Sequence, residues 1–400
     1  MKDKQAVLTR VEFLQIEEQL PAVMPLENVS LEADVFICAL GFEERCPAIA
    51  AKIALQSQSQ SFALGLTAVY SSNQEDNEHN ASALSSNIGK FCARSGFLAA
   101  DQPDLLSHDL NEQLNGLKPS SGRLQVIFDI STASGNLILS VLNALIKYSK
   151  RRPLGLTIAY SEPEEYLPTS AQYASDSESL VLTACRPGDE SSVHEYGVAE
   201  VETNELYPGK CNENREEFIL AVPAYRTERL SRCLQRLTDQ PLADPDKFIF
   251  WILGSPPEPR RSFRLEMQRK VISSLLNEMS GHEQGVGAKV EVLDDANSVE
   301  ASTLHYQQIL RIVIEKVDAQ AGKNISVVHM GSKMQAVGMA LALAVRSEVT
   351  VCHARPDRYN ASLYSLGIGA AWGVRFDDLG EIVDNLGRIG TLELQATIDR

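Results

Sequence analysis

The sequence has no paired cysteines, no zinc-ligand spacing and no long apolar run. Its seven cysteines form no CxxC pair and its seven histidines show no metal-ligand pattern, which argues against a zinc site. Several cysteines lie in apolar runs, so we expect buried, reduced thiols in a cytoplasmic protein. No run reaches the ~20 apolar residues of a membrane helix, and no signal-peptide core opens the chain, so we expect no membrane association.

An excess of basic residues is also missing. Lys and Arg number 37 against 53 Asp and Glu, giving a formal charge of −16. Broad binding of duplex DNA needs a basic face, so this composition argues against it. A small anionic ligand in a local basic pocket remains compatible with it.

Three catalytic or nucleotide-binding motifs are missing. There is no GxxxxGK[ST] loop, and no GxGxxG follows the first predicted strand of either half, so a P-loop NTPase and an NAD-dependent dehydrogenase are disfavoured. Thr132 and Asn136 stand where a nucleophile elbow around Ser134 needs glycines. Two interpretations of Ser131, Thr132 and Ser134 stay open: they cap the helix that follows, or they contact a ligand.

The most informative stretch is residues 324–360. The runs Ile325–His329, Met334–Val345 and Val349–Cys352 predict a strand, a buried helix and a second strand, which is one βαβ unit. Lys333 falls in the first turn of that helix, where the macrodipole disfavours a cation. An anion held by the N–H groups of Gly331, Ser332 and Lys333 would remove this conflict.

The two halves of the chain can be aligned with each other. Residues 157–166 align without gaps on 350–359, and Phe36–Leu40 with Glu44 and Arg45 matches Phe218–Val222 with Glu228 and Arg229. The predicted elements also follow the same order in both halves. We therefore predict an α/β protein with two tandem Rossmann-like parallel-sheet domains related by internal duplication.

The expected boundaries follow from changes in composition. Residues 1–30 are assigned to an N-terminal helix and linker, 31–170 to the first domain, 171–215 to a connector and 216–400 to the second domain. Within these, we predict a polar loop at Ser71–Ala83, a strand at Lys289–Leu293 and a helix at Ala301–Val317.

Candidate site residues follow the predicted strands and so share the carboxyl edge of the sheets. The second half carries more positive charge there than the first, and three outcomes stay open: pairing between the halves, binding of phosphates on the basic side, or a solvated rim. His329 is a candidate for acid–base chemistry or phosphate contact, and Tyr166, Tyr225 and Tyr359 are candidates for stacking on bases. The predicted ligand-binding residues are Gly331, Ser332, Lys333, His329, Arg355, Arg358, Tyr225, Arg229, Glu44, Arg45, Asp129, Ser131 and Thr132.

Residues 329–340, HMGSKMQAVGMA, resemble the strand-four signature of the CRISPR-associated Rossmann fold (CARF). Gly331, Ser332 and Lys333 match its second Gly, its Thr and its Lys, whereas His329 and Met330 depart from it. The resemblance implies a Rossmann-like fold that binds cyclic oligonucleotide messengers, and two fused units are similar in layout to SAVED domains. Gly41–Arg45 also resembles a segment of uncharacterised proteins of bacterial defence loci.

Three functional hypotheses follow. The first is a sensor that binds a nucleotide second messenger of the cyclic oligonucleotide class and regulates an effector in antiviral defence. Because both halves are assigned to Rossmann-like units, the output is expected in a separate effector protein or in homo-oligomeric assembly. The second is a metal-independent ring nuclease that cleaves such a messenger. The third is an interaction scaffold with a vestigial pocket. None needs a metal or a cofactor.

Overall fold

A computed structural model describes residues 20–56, 61–119, 121–185, 193–237, 249–279, 293–294 and 296–388. The first 19 residues of the predicted N-terminal helix and linker lie outside the described residues. So do residues 289–292 of the predicted strand Lys289–Leu293.

The first sheet is mostly parallel and has seven strands among the described residues. They are β1 (Met24–Pro25), β2 (Val35–Leu40), β3 (Leu64–Val69), β4 (Ser95–Ala99), β5 (Leu124–Asp129), β6 (Leu154–Ser161) and β17 (Ala371–Phe376). Across the sheet they run in the order β1-β17-β6-β5-β2-β3-β4, and the five from β2 to β6 are parallel. Every residue of β6 is buried, as expected for a strand covered on both faces.

Helices cover both faces of this sheet, and together they form the first lobe. Ile49 and Ile88 pack with Phe36 on one face, while Leu106 and Leu137 pack with Phe128 on the other. The helices are α1 (Ala48–Gln56), α2 (Gln74–Phe91), α3 (Pro103–Asn115) and α4 (Gly135–Ser149).

The second sheet repeats this design and, with its helices, forms the second lobe. Its strands are β9 (Glu200–Pro208), β10 (Glu217–Val222), β11 (Ile249–Ser255), β12 (Ser298–Ser302), β13 (Asn324–His329) and β14 (Thr350–Arg355). Their order is β12-β11-β10-β13-β14-β9, with β10 to β14 parallel and β9 antiparallel. Its helices are α7 (Glu228–Leu237), α8 (Phe263–Met279), α9 (Tyr306–Ala319) and α10 (Lys333–Val345).

The parallel strands of both sheets follow one Rossmann-like order, in which the third, second, first, fourth and fifth strands along the chain are neighbours. The predicted fold class, two tandem Rossmann-like domains related by duplication, is confirmed. In each lobe the crevice where the order reverses lies between the first and fourth strands, which are β2 and β5 in the first and β10 and β13 in the second.

Each lobe contributes one strand to the sheet of the other. The strand that follows the first lobe, β9, pairs with β14 of the second sheet, and β17 returns to pair with β6 of the first. Four two-residue strands repeat the exchange: β7 (Glu165–Tyr166) pairs with β16 (Ser365–Leu366), and β8 (Glu195–Tyr196) with β15 (Arg358–Tyr359). The predicted domain boundaries, with a connector at residues 171–215, stay a prediction. In the structure, β9 lies inside that predicted connector and pairs with the second sheet, while β17 of the predicted second domain pairs with the first.

The lobes also share one hydrophobic core. Leu137 and Val141 of α4 belong to the same buried cluster as Met334 and Val337 of α10. The remaining helices are α5 (Ser170–Ser175) and α6 (Ser177–Cys185) in the connector and α11 (Leu379–Gly387) near the end of the described residues. Burial on this scale makes separation of the two lobes costly.

Two sequence predictions are wrong. The polar run Ser71–Ala83 is mostly helix, because Asn77 and Leu84 bury one narrow face of α2 while the rest stays polar. Residues 301 and 302 of the predicted helix Ala301–Val317 belong to β12, and that helix begins at Tyr306. Within the described residues, no helix combines the length and apolar character that crossing a bilayer requires.

Candidate functional site

A cleft opens between the lobes beside the switch point of the first sheet, and we call it the interlobe cleft. It encloses about 480 Å³ of empty space, part of which is open to solvent. The loops after β2 and β3 supply Gly41, Phe42, Glu43, Tyr70, Ser72 and Asn73. The remaining lining residues are Asn77, Thr132, Ser134, Lys333, Tyr359 and Tyr364. Ligands of open α/β sheets bind in such crevices, so the position is that of a binding site.

Lys333 is the cationic side chain among these lining residues. It is the first residue of α10 in the second lobe, and its ammonium group donates to the Ala133 carbonyl of the first lobe at 2.8 Å. Burial lowers its pKa to about 8, although Glu43 and Asp129 oppose the shift. The predicted cation therefore lies in the cleft and spans the two lobes.

The turn before Lys333 is shaped by the helix cap. Ser332 accepts from the Gln335 N–H, and the Gln335 side-chain oxygen accepts from the Ser332 N–H at 2.9 Å, which closes a capping box. A Cβ at Gly331 would fall 2.5 Å from that same Gln335 oxygen, so glycine is required there. The Ser332 N–H, expected to bind an anion, is thus satisfied within the helix.

Glu43 places a carboxylate at the cleft. Its Oε2 accepts from Arg45 Nε and Nη2 and from the Ser365 hydroxyl at 2.6 Å. Arg45 is fully buried, donates to the Ser161 carbonyl, and has its guanidinium over the Tyr160 and Tyr166 rings. The predicted ligand contact Arg45 is therefore fully engaged inside the first lobe, while its partner Glu43 faces the cleft.

Arg229 occupies the equivalent place in the second lobe. It forms a bidentate ion pair with Glu195 and donates Nη1 to the Ala354 carbonyl, as Arg45 does to Ser161. Ser161 and Ala354 are matched positions in the sequence alignment of the halves. Each arginine therefore ties the segment after the first strand to the end of the fifth, and each has internal partners.

Aromatic rings form one wall of the cleft. The Phe42 ring contacts Tyr359 at 6.0 Å and Tyr364 at 5.5 Å between centroids, so rings of both lobes meet there. Tyr70 enters from the other side, where its hydroxyl accepts from the Ser134 N–H at 2.7 Å. Ring faces of this kind stack on planar groups such as nucleobases.

Asn73 holds this wall in place. Its side-chain amide donates to the Tyr359 carbonyl at 2.7 Å and accepts from the Tyr359 N–H at 3.0 Å, so it pairs with the backbone as a strand residue would. Its backbone has φ 53°, a left-handed conformation that asparagine tolerates better than most residues. One side chain thus links the start of α2 to β15 across the lobes.

We expect Asn73→Gly to measure the contribution of the Asn73 side-chain hydrogen bonds, which are the two with Tyr359 and a third donated to Asp76 Oδ2 at 2.9 Å. Glycine keeps the left-handed backbone without strain, so the free energy of unfolding should fall by about 1–3 kcal/mol through the lost bonds alone. Asn73→Ala should cost a further ~1 kcal/mol, because alanine disfavours this conformation. Urea denaturation of both variants checks this, and equal stability of the two would contradict the strain argument.

Asp129, Ser131 and Thr132 hold the loop after β5 together. Ser131 donates its N–H and hydroxyl to the Asp129 carboxylate, and Thr132 donates to the Ala39 carbonyl at 2.7 Å. Burial raises the Asp129 pKa to about 6, against the opposing effect of these bonds. Ser134 caps α4, so the capping interpretation holds for it. Of the three predicted residues, Thr132 lines the cleft.

The two histidines near Lys333 are uncharged at neutral pH. Burial lowers the pKa of His329 to about 4, and burial with Arg229 nearby lowers that of His353 to about 3. His329 lies against the start of α4, where its Nδ1 is 3.4 Å from the position of a Cβ at Gly135. Neither ring is among the described residues that line the cleft, so the predicted phosphate contact by His329 lacks geometric support.

The other predicted residues lie outside the cleft lining. Arg355 pairs with Glu200 at 3.2 Å, Arg358 lies 3.8 Å from Asp76, and Glu44 is exposed. Tyr225 lines a different cavity, with the Arg264 guanidinium 4.9 Å from its ring centroid. Pairing between the halves, one of the three expected outcomes for the charged edges, is observed for Arg261 with Glu162 at 3.3 Å and Arg260 with Glu165 at 4.0 Å.

Sequence reasoning missed several lining residues, including Phe42, Glu43, Asn73 and Tyr364. Phe42 and Glu43 lie in the segment Gly41–Arg45, directly after β2, and that strand places them at the switch point. Asn73 lies in the polar run that was predicted to be a loop. No signal in the sequence predicts that the loop holding Tyr364 reaches the other lobe.

No family model matches the chain, and no curated protein matches it closely enough to count. A protein described as a universal stress protein from Pseudomonas aeruginosa UCBPP-PA14 has a TM-score of 0.24 at 9% identity, over 83% of this chain and 96% of that one. The cytoplasmic domain of a prokaryotic cation chloride cotransporter gives 0.22 at 8%, over 83% and 99%. Can2 from Sulfobacillus thermosulfidooxidans, in complex with cyclic tetra-adenylate, gives 0.22 at 11%, over 89% and 96%. All three TM-scores are too low to carry an argument.

Proposed function

We propose that the protein binds a nucleotide second messenger in the interlobe cleft. The observation that carries this proposal is the position of Lys333, which enters from one lobe into a cleft walled by aromatic rings of both. A cation for phosphate, ring faces for a base and the Glu43 carboxylate for ring N–H groups or ribose hydroxyls are the complementary groups a nucleotide needs.

The charge of the cleft narrows the ligand class. Among the described lining residues Lys333 is the one cation, and the Arg45 guanidinium behind Glu43 is already paired. A triphosphate would bring several negative charges to a site that neutralises about one. A phosphodiester carries one charge per nucleotide, so this cleft favours cyclic or linear oligonucleotides over nucleoside triphosphates.

A ligand that touches both lobes can act as a signal. Phe42 belongs to the first lobe, whereas Lys333 and the segment with Tyr359 and Tyr364 follow strands of the second. In the proposal, occupancy changes how the lobes meet and so regulates a separate effector in antiviral defence. The sequence resemblance of residues 329–340 supports this setting.

The test is a thermal-shift screen of the full chain against cyclic dinucleotides, cyclic oligoadenylates, linear oligonucleotides and nucleoside triphosphates. A ligand at 100 times its Kd should add about 2.7 kcal/mol to the free energy of unfolding. We expect stabilisation by a phosphodiester ligand and little by triphosphates. Lys323→Met serves as the matched charge control, because Lys323 lies just before β13, at the opposite end from Lys333, and pairs with Glu216. A ligand that binds Lys333→Met as tightly as this control would overturn the assignment.

The same samples separate sensing from cleavage. After incubation, the ligand is recovered and analysed by chromatography. Intact ligand supports the sensor, and a linear product formed at a rate that depends on Lys333 would favour the metal-independent ring nuclease instead.

A further inference from the structure

A second cavity lies in the connector, and we call it the connector cavity. It encloses about 630 Å³ of empty space, partly open to solvent, between α5, α6, the turn after β10 and α8. Its walls are mainly apolar, with Leu180, Val193, Met267 and Leu363 among them, while Tyr225 and His194 add two rings. A concave, largely apolar cavity with a few polar groups is the usual form of a small-molecule site.

The internal duplication makes this cavity the counterpart of the interlobe cleft. Tyr225 lies three residues after the end of β10, as Glu43 does after β2. His194 lies directly before β8, as Tyr364 does before β16. The first residue of α4, at the place of Lys333, is Gly135. The connector cavity is therefore the duplicated counterpart of the cleft, and it has no lysine at the position of Lys333.

The charges of the connector cavity disfavour an ionic ligand. Arg226 donates to the Thr183 carbonyl and pairs with Glu228 at 3.2 Å, so its charge is already compensated. Burial lowers the pKa of His194, and the adjacent Glu195 opposes this shift while Arg226 and Arg229 reinforce it. Glu195 is itself tied to Arg229.

His194 places a half-buried imidazole ring at the wall of this cavity. The ring contacts Tyr364 at 5.7 Å between centroids. A neutral imidazole offers one donor and one acceptor. A polar group at the edge of a bound ring can pair with one of them in the place of water.

We propose that the connector cavity is a second binding site, for an uncharged ring compound with a hydrogen-bond donor or acceptor at its edge. The apolar walls bury the ring, Tyr225 offers a stacking face, and His194 pairs with the polar edge. The occupant is a heteroaromatic compound without phosphate, in contrast to the ligand of the interlobe cleft.

Three probes of similar size test this at pH 8: benzimidazole, which is neutral and has both a donor and an acceptor; indene, its hydrocarbon analogue; and benzoate, an anion. Ligand-observed NMR gives the affinities, and soaked crystals of the full chain give the position. We expect benzimidazole to bind at His194, indene to bind more weakly and benzoate to give no occupancy there. Benzoate binding as tightly as benzimidazole, or benzimidazole absent from the cavity, would overturn the proposal.

Three variants test which residues bind the probes. His194→Phe keeps a ring beside Tyr364 but removes both nitrogens, so benzimidazole should bind about 5-fold more weakly and indene should change less than 2-fold. Thr183→Phe should fill the cavity and weaken both probes. Lys333→Met should leave benzimidazole binding unchanged, which separates this site from the interlobe cleft. Equal loss of indene and benzimidazole in His194→Phe would contradict the role of the imidazole.

Discussion

Arg45→Met is expected to lower the free energy of unfolding by about 3–5 kcal/mol, a larger loss than that expected for Asn73→Gly. Arg45 is fully buried and Glu43 is 7% exposed, so the change leaves a carboxylate in a poorly solvated place with the Ser365 hydroxyl as its remaining partner. It also removes the bond to the Ser161 carbonyl and the contacts with two tyrosine rings.

The double variant Glu43→Gln/Arg45→Met separates charge from packing. Removing the stranded carboxylate should recover a large part of the loss, because the uncompensated buried charge is its main cause. Arg269→Met is the surface control. Its pair with Glu300 is 40% and 46% exposed, so its loss should cost less than about 1 kcal/mol. Urea denaturation checks all three, and a double variant no more stable than Arg45→Met would contradict this explanation.

Much of the fold could be predicted from the sequence, because parallel strands that are buried on both faces consist of consecutive apolar residues. The prediction placed β2 within its true bounds, found β13 and α10 nearly in full, and found the first half of β14. The alignment of the halves was informative for the same reason. It matched Arg45 with Arg229, and the structure gives both side chains equivalent carbonyl partners.

The exchanged strands could not be predicted, because pairing depends on tertiary contacts that local patterns do not encode. The sequence of Ala371–Phe376 indicates a strand but does not indicate the sheet to which that strand belongs. Its partner β6 is some 200 residues earlier in the chain. The contacts of charged residues could not be predicted for the same reason. Sequence showed which strand ends carry arginines, but whether Arg229 meets a ligand or Glu195 depends on β8 crossing to the second lobe.

The candidate site was predicted in part. Lys333 and Thr132 line the interlobe cleft, and each follows the fourth parallel strand of its own sheet, while the aromatic wall went unnoticed apart from Tyr359. From the sequence, the spacing of an aromatic residue indicates only whether its ring is buried in the core or lies at the surface. Phe42 is far from Tyr359 and Tyr364 in the chain, and the three rings meet because the segment after β14 crosses between the lobes.

Lys333→Met should weaken binding of a phosphodiester ligand by about 10–100-fold, since a charge-assisted hydrogen bond contributes about 1.5–3 kcal/mol. The unbound variant should be at least as stable as the native protein at pH 7. The reason is that burial lowers the Lys333 pKa from 10.5 to about 8, so the folded state holds this charge less favourably than the unfolded state does. Methionine keeps most of the length of the stem without that charge.

The pH dependence gives the sharper test. Below pH 8 Lys333 is protonated in both states, and its unfavourable burial is fully present. Between about pH 8 and 10.5 the unfolded state holds more protons than the folded one, so the stability of the native protein rises relative to that of Lys333→Met. Above this window the lysine is neutral in both states. Urea denaturation of the two proteins at pH 7 and pH 10 measures the difference, and because every other titrating group is common to both, a gap that stays constant with pH would mean that Lys333 is solvated and not enclosed by the cleft.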